Sequence, residues 1–143
     1  MNPDFWRDRR VFLTGHTGFK GAWLALWLQS VGANVTAYSL APPTQPSLFE
    51  GARVGKGITS IHGDIRDFDT LGATLRKSGA SILFHLAAQA TVADGYRLPR
   101  DTFATNVTGT IHLLDAIREC PTIKAAVVVT SDNPRSERPQ AII

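Results

Sequence analysis

Gly15, Gly18 and Gly21 recur at three-residue intervals in TGHTGFKG, between the β-rich run RVFLT and the apolar run FKGAWLALWLQS. Glycine at such places permits a tight turn, a close approach of backbone to a pyrophosphate, and close packing of helix on strand. The N-terminus of the following helix adds oriented N–H groups for an anion. Three spaced glycines alone are a weak sign, but between an apolar strand and an apolar helix they point to a dinucleotide cradle, with Thr17 and Phe19 in the same turn. A phosphate-binding P-loop needs G-x-x-x-x-G-K-[ST], and neither Lys20 nor Lys56 stands in that frame.

A second strand that grips an adenosine ribose should end in an acid, yet no Asp or Glu occurs between Asp8 and Glu50. Ser39 is the hydroxyl substitute at that strand end. No Arg stands there to meet a 2′-phosphate, which favours NAD over NADP. Asp64 and Ile65, after the third strand, are placed either to meet the adenine edge or, in the case of Asp64, to cap a helix. His85 reads as a core histidine within a buried strand. His16, His62 and His112 show no metal-ligand spacing, so no metal site is expected. Cys120 is the single cysteine and supports neither a disulfide framework nor a zinc cluster.

These residues need elements to hold them. RVFLT, NVTAYSL, ITSIHGDI, SILFHLAAQ and AAVVVTS read as five strands, separated by helical connections. The first connection leaves almost no polar face, as in a helix buried against a sheet. The third, DFDTLGATLRKSG, opens acidic and ends basic, the order that complements a helix dipole. A Pro- and Gly-rich link with one short helical turn near Leu48 joins the second and third strands, and a long helix should fill much of Leu98 to Glu119. The implied class is α/β, a Rossmann-like doubly wound parallel sheet that stops after its fifth strand.

Composition agrees with a globular chain: of 143 residues 43% are hydrophobic and 19% charged, with a net charge of +3. Lys and Arg are scattered, so no nucleic-acid stripe forms. The N-terminus lacks the apolar core of a signal peptide and no run of membrane-spanning length occurs, so a cytoplasmic setting without a membrane partner is expected.

The blocks T-G-x-x-G-x-x-G, D-I and H-L-A-A resemble the extended short-chain dehydrogenase/reductases that act on sugar nucleotides. FWRDRRVFLTGHTGFKGAWLALWLQ, YSLAPPTQPSLFE, GDIRD, HLAAQA, ATNVTGTIHLLDAIR and VVVTSD are similar, more closely, to the CDP-glucose 4,6-dehydratase family, over about Asn2 to Asp132. The resemblance implies a lyase that keeps NAD bound and recycles it, oxidising C4 of the sugar, losing water across C5 and C6 and returning hydride to C6. It implies CDP-glucose as substrate and a homodimer formed through two long helices from each subunit, of which one is present here. It also places Ala87, Ala88 and Gln89 beside the nicotinamide ribose and turns Asn106 toward the cofactor; Asn106 serves alternatively to tie backbone groups together. Ser131 and Asp132 match family positions that assist at the sugar hydroxyls.

The pattern then breaks. Asn133 stands where the family has Lys, and residues 134–143 match nothing in it. Tyr-x-x-x-Lys, whose Lys lowers the tyrosine pKa so that the phenolate acts as base, is not present: Pro42 and Arg100 lie four residues beyond Tyr38 and Tyr96. Residues 1–132 thus read as an incomplete NAD-binding Rossmann domain and 133–143 as an unpatterned tail. A shifted reading frame, a truncation, a self-contained variant and completion by a partner all remain open. The expected function is the NAD-binding portion of a dehydratase without turnover of its own. The alternatives are a non-catalytic NAD-responsive module and a fragment of another nucleotide-sugar epimerase or reductase.

Overall fold

The computed structural model describes residues 3–130. Five parallel strands, β1 (Arg10–Thr14), β2 (Asn34–Ser39), β3 (Thr59–His62), β4 (Ile82–His85) and β5 (Ala125–Val128), lie in the order β3-β2-β1-β4-β5. This is the Rossmann-like sheet that the alternation of strands and helices implies.

Two cores result from the period-two alternation of the strands. Val11 and Leu13 of β1, with Val35 and Ala37 of β2, meet Ala22, Ala25 and Leu28 of α1 (Phe19–Ser30). Phe12 points to the other face, where Tyr38 and Leu83 meet Leu71 and Leu75 of one helix and Leu113 and Ala116 of another. Burying a large aliphatic side chain of this kind contributes about 1.5–3 kcal/mol.

α1 is buried against the sheet as expected, but its apolar character extends to a side that the sheet does not cover. Phe19 and Trp23, one turn apart, stand 71% and 55% exposed, because only one side of α1 faces the sheet. Trp27, on another side, meets Trp6 edge-on at 5.4 Å.

Between β2 and β3 the chain makes the short helix α2 (Leu48–Gly51), capped by Ser47, whose hydroxyl accepts from the Glu50 N–H at 3.2 Å. The helix α3 (Phe68–Ser78) starts at Asp67, whose carboxylate accepts from Thr70 N–H at 3.1 Å, and ends at Gly79 with φ +58°. Asp64 is therefore not the cap of α3. After β4 comes α4 (Val92–Arg97), which the sequence did not suggest, and then α5 (Pro99–Phe103). A π-helical stretch at Ala104–Thr108 joins α5 to α6 (Gly109–Arg118), so the expected long helix exists but carries a bulge in its middle. Among the described residues β3 and β5 are the sheet edges, and Val127 on β5 is 46% exposed.

Candidate functional site

At the carboxyl ends of β1, β2 and β4, on either side of the point where the strand order reverses, lies an open cleft of about 190 Å³. Its walls include Gly15, Thr17, Gly18, Ser39, Asp64, Ile65, Ala87 and Ala88. Eight candidate residues are thus brought together. Leu40, Ala41, Pro43, Gly63, Leu86 and Thr105 complete the lining and were not singled out in the sequence. Their signal was positional, since all but Pro43 lie within two residues of a strand end or beside a candidate. Gly21, Gln89, Asn106 and Phe19 are not among the lining residues, and Phe19 is largely exposed.

The glycine wall depends on missing side chains. Gly15 has φ +79°, and a Cβ there would lie 2.6 Å from Ala87 N. At Gly21 a Cβ would lie 2.1 Å from Gly15 O, so the first turn of α1 rests directly on the loop. Gly18 differs: a Cβ would meet only Gly15 O at 3.4 Å. Gly18 is also the N-cap of α1, with no side-chain cap on the first-turn amides. Those amides carry the positive end of the helix dipole.

Thr17 and Ser39 form a directional pair. The Thr17 hydroxyl donates to Leu40 O at 2.9 Å, so its single proton is committed. The 2.7 Å contact between the two hydroxyls must then be a donation from Ser39 to Thr17. Ser39 is left with lone pairs only and acts as an acceptor, as an acid at that position would.

Asp64 is clamped by its neighbour. Its Oδ1 accepts from the Arg66 N–H at 2.9 Å, and its Oδ2 accepts from Arg66 Nε at 2.8 Å and Nη2 at 2.6 Å. The guanidinium hydrogen bonds hold the carboxyl below the usual aspartate range. Tyr38 is fully buried and its hydroxyl donates to Asp64 O at 3.1 Å, with burial raising its pKa, so it is a structural phenol.

The β4 wall is held by side chains. Asn106, within the π-helical stretch, brackets Gln89: its Oδ1 accepts from Gln89 N at 2.8 Å and its Nδ2 donates to Gln89 O at 3.0 Å. The Gln89 side chain turns away to donate to Thr91 O at 2.9 Å. Thr14 and His85 are cross-strand neighbours in the β1–β4 register. Thr14 Oγ1 accepts from Leu86 N and Ala87 N, each at 3.2 Å, and contacts His85 Nδ1 at 2.6 Å. His85 Nε2 lies 3.2 Å from Thr110 Oγ1, which itself donates to Asn106 O at 2.7 Å.

The proton count fixes the tautomer. Thr110 spends its proton on a carbonyl, so it accepts from His85, and Nε2 carries the ring proton. Nδ1 is then an acceptor for the Thr14 hydroxyl. Burial lowers the pKa of His85, in agreement with this neutral ring. His16 is the other buried ring: its Nε2 contacts Ser60 Oγ at 2.7 Å, its Nδ1 has no partner among the described residues, and burial lowers its pKa to about 4.

Among the described residues no cluster of three His, Cys, Asp or Glu side chains forms a metal site, and no helix is long and apolar enough to cross a membrane. Ser131 and Asp132, the proposed sugar-assisting pair, and the tail from Asn133 onward lie outside the described residues.

The family model for GDP-mannose 4,6 dehydratase matches residues 12–133, a span that contains the whole cleft. The CDP-glucose 4,6-dehydratase of Salmonella typhimurium is 48% identical over 132 residues, covering 92% of this chain and 37% of that protein. The chain therefore spans little more than a third of that relative's length. Among solved structures, UDP-glucose-4-epimerase from Stenotrophomonas maltophila, with bound NAD and formylated UDP-arabinopyranose, superposes with a TM-score of 0.73 at 25% identity, covering 84% of this chain and 36% of that one. UDP-glucose 4-epimerase from Brucella ovis in complex with NAD gives 0.72 at 27% identity, covering 84% and 35%. With a sheet order, a glycine turn and a sequence match that coincide on one span, the chain belongs to the GDP-mannose 4,6-dehydratase family of nucleotide-sugar dehydratases.

Proposed function

We propose that these residues form the NAD-binding portion of a CDP-glucose 4,6-dehydratase. The observation that carries the reading is the cleft itself, lined by a glycine turn that a side chain at Gly15 would drive against the Ala87 backbone, and set against the uncapped N-terminus of α1. NAD, when bound, supplies the site with a hydride acceptor and donor.

The chain's own residues divide the binding among them. The turn from Gly15 to Gly18 and the first amides of α1 receive the pyrophosphate. Ser39, left as an acceptor, takes a ribose hydroxyl. Asp64 and Ile65 border the adenine, and Ala87 and Ala88 border the nicotinamide ribose. The stripe of Phe103, Val107, Ile111 and Leu114, each about half exposed or more, supports pairing of two copies through the α5–α6 run. A buried free Cys120 suits a cytoplasmic protein.

The sequence identity of 48% to a CDP-glucose enzyme favours that substrate over those of the epimerases, which match at 25–27%. Tyr-x-x-x-Lys is not among the 143 residues, so the chain taken alone contributes binding rather than turnover. Calorimetric titration of the 143-residue chain with NAD should show saturable binding, and incubation with CDP-glucose and NAD should give no 4-keto sugar. Absence of binding at millimolar NAD sinks the cofactor reading, and NAD-dependent product sinks the statement about turnover.

A further inference from the structure

His85 does not line the cleft, yet the hydrogen bonds that shape the β4 wall pass through its ring. We propose that His85 is a positioning residue which, as its Nε2–H tautomer, couples the π-helical bulge to the glycine turn and so fixes the Leu86–Gln89 loop against the cofactor. The proposal deepens the NAD reading of the cleft and rests on it.

The argument is one of proton direction. Thr14 has one hydroxyl proton and two lone pairs. By accepting that proton at 2.6 Å, His85 Nδ1 turns the lone pairs toward the N–H groups of Leu86 and Ala87. Leu86 N also reaches Thr14 O at 3.2 Å as part of the β ladder, so Ala87 N is the group that depends more on the hydroxyl. On its other side the ring donates through Thr110 to Asn106 O, the backbone of the residue whose side chain brackets Gln89. Both ends of the loop thus belong to a network with His85 at its centre. His85 is 3% exposed, so water does not substitute for either partner at low cost. A backbone shift at Ala87 is transmitted directly, since Gly15 leaves no room for a side chain between the two loops.

The test uses the 143-residue chain and its His85→Phe, His85→Asn and Thr110→Val variants. Ring ¹⁵N shifts should show the Nε2–H tautomer at neutral pH. His85→Phe should speed amide exchange at Ala87 and Gln89 at least tenfold. It should also weaken NAD binding at least fivefold while leaving AMP, which fills the Ser39–Asp64 end, within twofold. His85→Asn, which restores an acceptor toward Thr14, should recover part of the NAD affinity. Thr110→Val, a milder change, gives the same pattern at smaller amplitude and serves if His85→Phe does not fold. An Nδ1–H tautomer, unchanged NAD affinity, or equal losses for NAD and AMP overturn the proposal. A wild-type chain that binds neither nucleotide overturns the cofactor reading instead, and the tautomer and amide exchange then decide the loop positioning alone.

Discussion

Along the glycine wall the cleft is shaped by side chains that are missing, whereas along the β4 wall it is held by side chains that are present and hydrogen-bonded. At Gly15 and Gly21 the first kind of wall has no tolerance for added volume, because the nearest atoms are backbone that cannot rotate away. The second loses polar partners when mutated and leaves donors and acceptors buried. Steric failure should therefore be larger and less graded than polar failure.

Gly21→Ala puts that difference to its severest test. The added Cβ meets Gly15 O at 2.1 Å, so α1 must move off the turn, at a cost of about 3 kcal/mol. Urea denaturation should show that loss together with loss of NAD binding. Gly18→Ala, whose Cβ finds 3.4 Å of room, should cost less than about 1 kcal/mol while still narrowing the cleft. Equal destabilisation by the two substitutions contradicts the assignment of Gly21 to packing and Gly18 to the ligand.

Asn106→Ala probes the other wall. It removes two hydrogen bonds to Gln89 and strands a part-buried N–H and C=O, a loss of about 1–3 kcal/mol by denaturation. Asn106→Asp keeps the acceptor for Gln89 N but turns a second oxygen toward Gln89 O, so it should rescue little. Full rescue by Asp shows that the carbonyl contact contributes nothing.

The two buried histidines make stability depend on pH. Their folded pKa values lie below the unfolded value of 6.5, so the unfolded chain binds more protons on acidification. Stability from these rings is present above pH 6.5 and is lost as pH falls, for His16 through about pH 4. Between pH 7 and pH 4.5 His16 should account for about 2 kcal/mol of that loss. Asp64 and Asp67, with lowered pKa values, act in the same direction, so the comparison is with His16→Gln, which keeps a polar partner for Ser60. Parallel urea titrations at pH 7 and pH 4.5 should show a smaller difference for the variant. An identical difference removes His16 from the account.

The two walls also differ in how far sequence exposes them. The bounds of β1 and α1 follow from RVFLT and FKGAWLALWLQS because a local period and a glycine turn dictate them. Gly15, Gly18 and Gly21 were legible because steric need appears as residue type at fixed spacing. The β4 network was not, since Thr14, His85, Asn106 and Thr110 meet only once the strand register is set. His85 could be read as a core histidine, but not as the link between two loops. Asn106 was left with two roles because a helix pattern does not reveal a π-helical bulge. Asp64 was left between the adenine edge and a cap for a related reason: Asp67 offers the same capping chemistry three residues later, and only the observed bond to Thr70 separates them.

The β3 end of the cleft joins the two modes and gives the smallest expected effect. Arg66 holds Asp64 by two side-chain donors on Oδ2 and by its own N–H on Oδ1, and the backbone bond survives truncation. The pair is partly exposed, with side-chain exposures of 42% and 25%, so Arg66→Ala should cost less than about 1 kcal/mol. Salt should reduce even that. AMP affinity should fall by less than threefold, because Asp64 Oδ1 stays anchored to the peptide, whereas Asp64→Ala removes the group itself. A larger loss from Arg66→Ala than from Asp64→Ala in nucleotide titrations makes the guanidinium the ligand contact and reverses the order of the two residues at this end of the cleft.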